Sequence, residues 1–163
     1  MISVTVHSQV LQRNMKKLLR NIDIDLSKEI NNSAGIVVKD IKERVAKGID
    51  VNDAPFEPLK EITIKKKIQA KYKRPNAPLI ATGKMSGALS GKQGGAYLKR
   101  RATARNQMAI VSAPTKRAEY GKYHMAGNSN LPVRKWFGVS RDASEKIARA
   151  MNLKIRRIIS RAD

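Results

Sequence analysis

Between Leu26 and Val45 the apolar residues Leu26, Ile30, Val37, Ile41 and Val45 recur at helical steps, with Ala34 filling the gap. That spacing turns one face of a long helix to a core. Asp23 or Asp25 is placed to cap its start, and Gly48 to close its end. Lys28, Glu29, Lys39, Lys42, Glu43 and Lys47 fall on the outward side. A helix of this kind is expected to pack against a sheet. The last helix runs from Ser140 or Asp142 to Ile159, with Ala143, Ile147, Met151, Ile155 and Ile158 as its stripe and Asp142 and Glu145 as a capping box.

Outside these two helices the pattern is shorter in range. Ile2, Val4 and Val6 alternate with Ser3 and Thr5 as in a short strand, and Val10, Leu11, Met15, Leu18 and Leu19 mark a helix over about 8–20. Asn52, Asp53, Pro55 and Pro58 signal turns. Residues 60–71 read as one or two basic helical turns, ended before Pro75, with Pro75 and Pro78 setting an extended linker. Residues 83–95 hold Gly83, Gly87, Gly91, Gly94 and Gly95, which suits a helical turn around Met85–Leu89 followed by a loop. Tyr97–Ala102 and Gln107–Ser112 read as antiparallel strands turning near Arg105-Asn106, and 113–139 as irregular. The expected fold is α+β: one domain over 1–163, with N-terminal and C-terminal helices packed on a small antiparallel β-sheet. A long basic Gly-rich loop, 83–106, forms a flexible arm within it.

Charge changes this picture more than composition does. The chain has 163 residues, 34 Lys plus Arg against 13 Asp plus Glu, and a net charge of +21. Residues 1–59 are nearly balanced, with 9 basic and 8 acidic side chains. Residues 60–105 carry 13 basic side chains and one acid, Glu61, whereas 106–163 carry 12 and 4. A segment of that density repels itself and attracts polyanions, nucleic acid above all. Aromatics are only 4%, too few for a base-stacking platform or an RNA-recognition sheet, so the core falls to Ile, Val, Leu and Ala. The chain holds no cysteine, which excludes disulfides, zinc fingers, iron–sulfur clusters and thiol nucleophiles. The N-terminus lacks the basic and apolar regions of a signal peptide, and no run is long enough to span a membrane. The expectation is a product of the cytosol.

Candidate chemistry is sparse. Gly87-Ala88-Leu89-Ser90-Gly91-Lys92-Gln93 has three residues between its glycines where a phosphate loop needs four, and ends in Gln where Mg²⁺ needs a hydroxyl. Asp23 and Asp25 are better explained as caps than as a catalytic pair. Asn31-Asn32-Ser33 is a formal glycosylation sequon inside a helix and is discounted. His124 has neither an orienting partner nor a nucleophile in its sequence neighbourhood, so it reads as structural. No enzyme, cofactor or metal is expected.

Three segments in order resemble a known family. Asn52-Asp53-Ala54-Pro55-Phe56-Glu57-Pro58-Leu59, followed by Thr63 and a lysine cluster, is the first. Leu79-Ile80-Ala81-Thr82-Gly83-Lys84-Met85-Ser86-Gly87-Ala88-Leu89 is the second. Tyr120 to Gly127, with His124, then Leu131-Pro132-Val133-Arg134-Lys135-Trp136-Phe137-Gly138-Val139-Ser140, is the third. Together they are similar to the virion morphogenesis, or tail completion, proteins of tailed bacteriophages, over about residues 8–160.

The resemblance implies a structural role in tail completion and head–tail joining at the neck of a virion, in a protein made in the host cytoplasm. Its implied partners are other neck, tail and connector proteins, further copies in a homo-oligomeric ring, and genomic DNA through non-specific contact; no membrane is implied. Lys92, Lys99, Arg100, Arg101 and Arg105 are the candidate contacts with DNA or an acidic partner. Arg134, Trp136 and Phe137 are candidates for a subunit interface, one of the two aromatics filling the core and the other docking a neighbour. The competing expectation is a free-standing cationic nucleic-acid-binding protein.

Overall fold

The computed structural model describes residues 25–81, 97–112, 119–128 and 130–160. The strand expected at 2–6, the helix at 8–20 and the turn at 85–89 lie outside them. The described elements are α1 (Ser27–Lys47), α2 (Glu61–Gln69), β1 (Tyr97–Arg100), β2 (Ile110–Ser112), α3 (Glu119–Ala126) and α4 (Arg141–Ile159).

Helix α1 matches its apolar pattern: Ala34, Ile41 and Val45 are buried. Asp25 does cap, but from one residue outside the helix, where its Oδ1 accepts the Ser27 amide at 2.8 Å. Gly48 closes the other end in the left-handed region, φ 78°. Its amide bonds the Val45 carbonyl and the Ile49 amide bonds that of Arg44, which satisfies two carbonyls the helix cannot use.

Helix α4 starts at Ser140, whose Oγ accepts the Ala143 amide at 3.2 Å. The expected capping box does not form. Glu145 is instead drawn to two arginines on its own face, Arg141 at 3.1 Å and Arg149 at 3.3 Å. The helix lies along α1, where Ala143 is buried and Lys154 reaches Glu29 at 3.3 Å.

The expected sheet is met only in part. The described chain is mainly helical, and its strands form a single antiparallel ribbon, β1 with β2. Tyr97 faces Ser112, Leu98 faces Val111 and Arg100 faces Ile110, so Lys99 is the extra residue of a bulge. Strands of four and three residues are too narrow to cover two helices. Among the described residues the ribbon packs on α1 alone, and α4 packs on α1 rather than on the ribbon, burying Ala143 while Ile155 stays exposed.

Three further boundaries differ from expectation. The strands stop at Arg100 and start at Ile110, because Thr103 and Asn106 exchange backbone bonds in the intervening turn. Pro75 and Pro78 do not make an extended linker: the Ala77 amide bonds the Arg74 carbonyl, which folds 74–77 into a turn with Pro75 at its second position. Residues 119–126, expected to be irregular, are helix α3. Its eight residues include Gly121 and carry too weak a periodicity to be seen in sequence.

Candidate nucleic-acid interface

The core consists of Ile41 and Val45 from α1 with Phe56, Ile80 and Trp136 from loops, and Val37, Ala77, Leu79, Val111, Met125 and Phe137 pack around it. Phe56, Leu79–Ile80 and Met125–Phe137 come from the three segments that carry the resemblance. Parts of the three segments, up to 80 residues apart in sequence, therefore meet in one apolar cluster.

The loop after α1 is built by its acids. Asp50 Oδ1 accepts the Asn52 amide at 2.7 Å and the Ala54 amide at 3.0 Å, and Asp53 takes a left-handed φ of 63°. The Phe56 amide then bonds the Gly48 carbonyl at 2.8 Å, aiming the ring at the core. Residues 134–140 cross this loop. The Val51 amide bonds the Lys135 carbonyl at 3.0 Å.

The three residues expected at a subunit interface are placed by this crossing. Trp136 is 2% exposed, and its indole donates to the Gly121 carbonyl of α3 at 3.0 Å. Arg134 is 3% exposed and donates to the Glu57 carbonyl at 2.9 and 3.2 Å. Both serve the interior of the chain. Phe137, half-buried and edge-on to Trp136 at 5.4 Å between centroids, sits at the margin of the core. Its flanks Val133, Lys135 and Val139 are exposed.

His124 sits behind Arg134, its carbonyl accepting the Arg134 amide at 2.6 Å. Burial, and then the nearby Arg134 charge, hold its imidazole below the ordinary histidine value. Its buried Nδ1 has no hydrogen-bond partner among the described residues. The arrangement disfavours the charged imidazolium form of His124.

A second buried arginine ties the crossing to α1. Arg44 is 4% exposed; its Nε meets Asp40 at 3.0 Å and its Nη2 donates to the Gly138 carbonyl at 2.9 Å. Asp40 also accepts the Ser140 hydroxyl at 2.7 Å. Asp40 and Arg44 therefore join α1 to the start of α4. Sequence reading missed both, although a charged pair four apart flanking the apolar face was a visible signal.

The candidate polyanion contacts divide. Lys92 lies outside the described residues. Lys99 occupies the β1 bulge and Arg100 the end of β1, while Arg101 and Arg105 are exposed in the connection to β2. This connection is pinned to α1 by Asn31, whose side chain donates to the Ala102 carbonyl at 3.0 Å and accepts the Ala102 amide at 2.8 Å. The discounted sequon residue is thus the clasp that sets where Arg101 and Arg105 project.

Among the described residues there is no group of three or more side chains suited to a metal ion, and no helix is long and apolar enough to cross a membrane. Comparison with family models, curated proteins and solved structures returns no match.

Proposed function

We propose that this chain is a structural assembly protein of a tailed bacteriophage, acting in tail completion and head–tail joining at the neck. The observation that carries the reading is the convergence of the three resembling segments on Phe56, Ile80 and Trp136. Residues that recur for chemistry would be expected to meet as polar groups around a cleft. Here they meet as a framework, held by Arg134 on the Glu57 carbonyl and Trp136 on the Gly121 carbonyl. Packing of this kind supports a structural, non-enzymatic role.

In this reading further copies assemble into a ring with neck, tail and connector proteins as neighbours, and the protein resides in the virion. The exposed Arg101 and Arg105 on their pinned hairpin would face the genome path or an acidic neighbour. Electron microscopy of lysates from the encoding phage with this gene deleted tests the role. Separate full heads and unjoined tails, rescued by supplying the protein, are the expected result. Intact infectious particles would overturn it and leave the free-standing nucleic-acid-binding protein as the better account, a reading favoured only by the cationic surface.

A further inference from the structure

Among the described residues, the densest run of cations without an ion-pair partner is not on the hairpin. All five described ion pairs involve acids of α1 or α4: Glu29, Asp40, Glu43 and Glu145. None involves a cation of residues 60–74, where Lys60, Lys65, Lys66, Lys71, Lys73 and Arg74 are all exposed and Glu61 is the single acid. The one lysine of this segment that turns inward is Lys67, buried and donating to the Ala77 carbonyl at 2.7 Å. Its inward turn fixes the rotation of α2. With Lys67 on the inner side, Lys65 and Lys66 stand one step either side of the outward Ile62–Gln69 line.

The end of α2 adds a second observation. The Lys71 amide bonds the Ile68 carbonyl at 2.9 Å and the Tyr72 amide bonds that of Lys67 at 3.0 Å, the same pair of bonds that ends α1. At the end of α1 the left-handed position is held by Gly48; at the end of α2 it is held by Lys71, φ 53°. Glycine fits that conformation with less strain, by about 1 kcal/mol. Lys71 occupies a position where the backbone would favour glycine, and it adds a cation to the same surface. Arg74 then donates to the Ala46 carbonyl at 3.1 Å, which brings the exposed Lys47 of α1 beside the patch.

We infer that α2 and the turn after it form a binding face for the phosphate backbone of duplex DNA, without sequence readout. Five of the six exposed cations are lysines, compact charges on mobile stems that suit phosphates at varied positions better than the fixed fork of arginine suits a defined carboxylate. Tyr72, the one aromatic of the segment, is half-buried, so the face offers no platform for single-stranded bases. Ile62 and Ile68, 62% and 57% exposed, stand six residues apart and form no continuous apolar stripe that would favour a protein groove. The inference does not rest on the neck assignment and holds equally for a free-standing protein.

The test is fluorescence anisotropy of the full chain with a labelled random-sequence duplex over a range of salt. Each phosphate neutralised contributes about 0.9 to the slope of log affinity against log salt. Replacing Lys65, Lys66 and Lys73 with Gln and Lys71 with Gly should lower that slope by about 3.6 and cut affinity at least tenfold near 0.1 M salt. Lys71→Gly alone should lower the slope by about 0.9 while raising the melting temperature, so its loss of binding is not a loss of fold. Arg101→Gln with Arg105→Gln should change the slope less than the α2 variant. On the unaltered protein, DNA should shield Lys65, Lys66, Lys71 and Lys73 from amine acetylation, with buried Lys67 slow to react with or without DNA. An unchanged slope in the α2 variant, no shielding, or tighter binding to polyglutamate than to duplex of equal charge would overturn the inference; the last would assign the face to an acidic protein.

Discussion

His124 illustrates how one side chain couples packing to pH. Its imidazole is half-buried beside Arg134, so the folded state disfavours the proton, and its value lies below the unfolded one near about 6.5. The unfolded chain therefore binds more protons wherever the two states differ, and stability increases with pH there. The contribution is fully present above the unfolded value and is lost as pH falls through it toward the folded one. Urea unfolding between about pH 7.5 and pH 5 should show a falling midpoint that His124→Phe removes in part; a variant with the wild-type pH slope would mean that other groups produce it. Trp136 and Arg134 belong to this scale too. Sequence marked both as notable but could not say which way they point, since an indole or a guanidinium serves a core and a surface equally well until a carbonyl is found within reach.

At the scale of elements, two polar clasps hold what the small apolar core does not. Arg44 is buried and Asp40 is its partly buried partner, and removing the acid leaves the guanidinium without its counter-charge. Asp40→Ala should cost about 3–5 kcal/mol, the penalty of an uncompensated buried charge. Ser140→Ala, which removes the cap of α4 and one bond to Asp40, should cost only about 1–2 kcal/mol. Denaturant midpoints decide the order, and equal losses would mean that Asp40 acts only through Ser140. Asn31 is the other clasp. Asn31→Ala leaves both Ala102 backbone groups unpaired and should destabilise by about 2–3 kcal/mol, with Asn31→Asp about half as costly because it keeps the acceptor. Amide exchange at Ala102 reports this directly: protection unchanged in Asn31→Ala would show that the hairpin is held by its packing. Periodicity revealed α1 and α4 because both are long and patterned, whereas α2 was read only as one or two basic turns. It could not reveal α3, whose eight residues are too weakly patterned, nor the turn at 74–77, which closes through a local Ala77-to-Arg74 bond that apolar periodicity does not record.

For the whole molecule, +21 on 163 residues is a standing repulsion. The ion pairs among the described residues lie on α1 and α4, so the exposed lysines between Lys60 and Arg74 repel one another with little relief from them. Screening should then stabilise the fold. The melting temperature should rise by several degrees between about 0.02 M and about 0.3 M sodium chloride, as the screening length shortens from about 20 Å to about 6 Å. A flat or falling curve would show that the attractive pairs dominate. The same repulsion yields to a polyphosphate partner, so duplex DNA should raise the melting temperature at low salt and lose that effect at high salt.

What the sequence determined by itself was local: the apolar faces of α1 and α4, the closure at Gly48, a start of α4 at Ser140 or Asp142 and the excess of cations after residue 59. Each follows from side chains a few residues apart, where backbone geometry dictates who are neighbours. The tertiary structure decided the rest. It buried Arg134 and Trp136, enlisted Asn31, Asp40 and Arg44 as clasps, and laid α4 on α1 instead of on the ribbon. It also turned Lys67 inward and so left the other cations of α2 outward. These outcomes depend on hydrogen bonds between residues up to 100 apart, which no local pattern records because a buried polar group takes whichever partner the fold delivers.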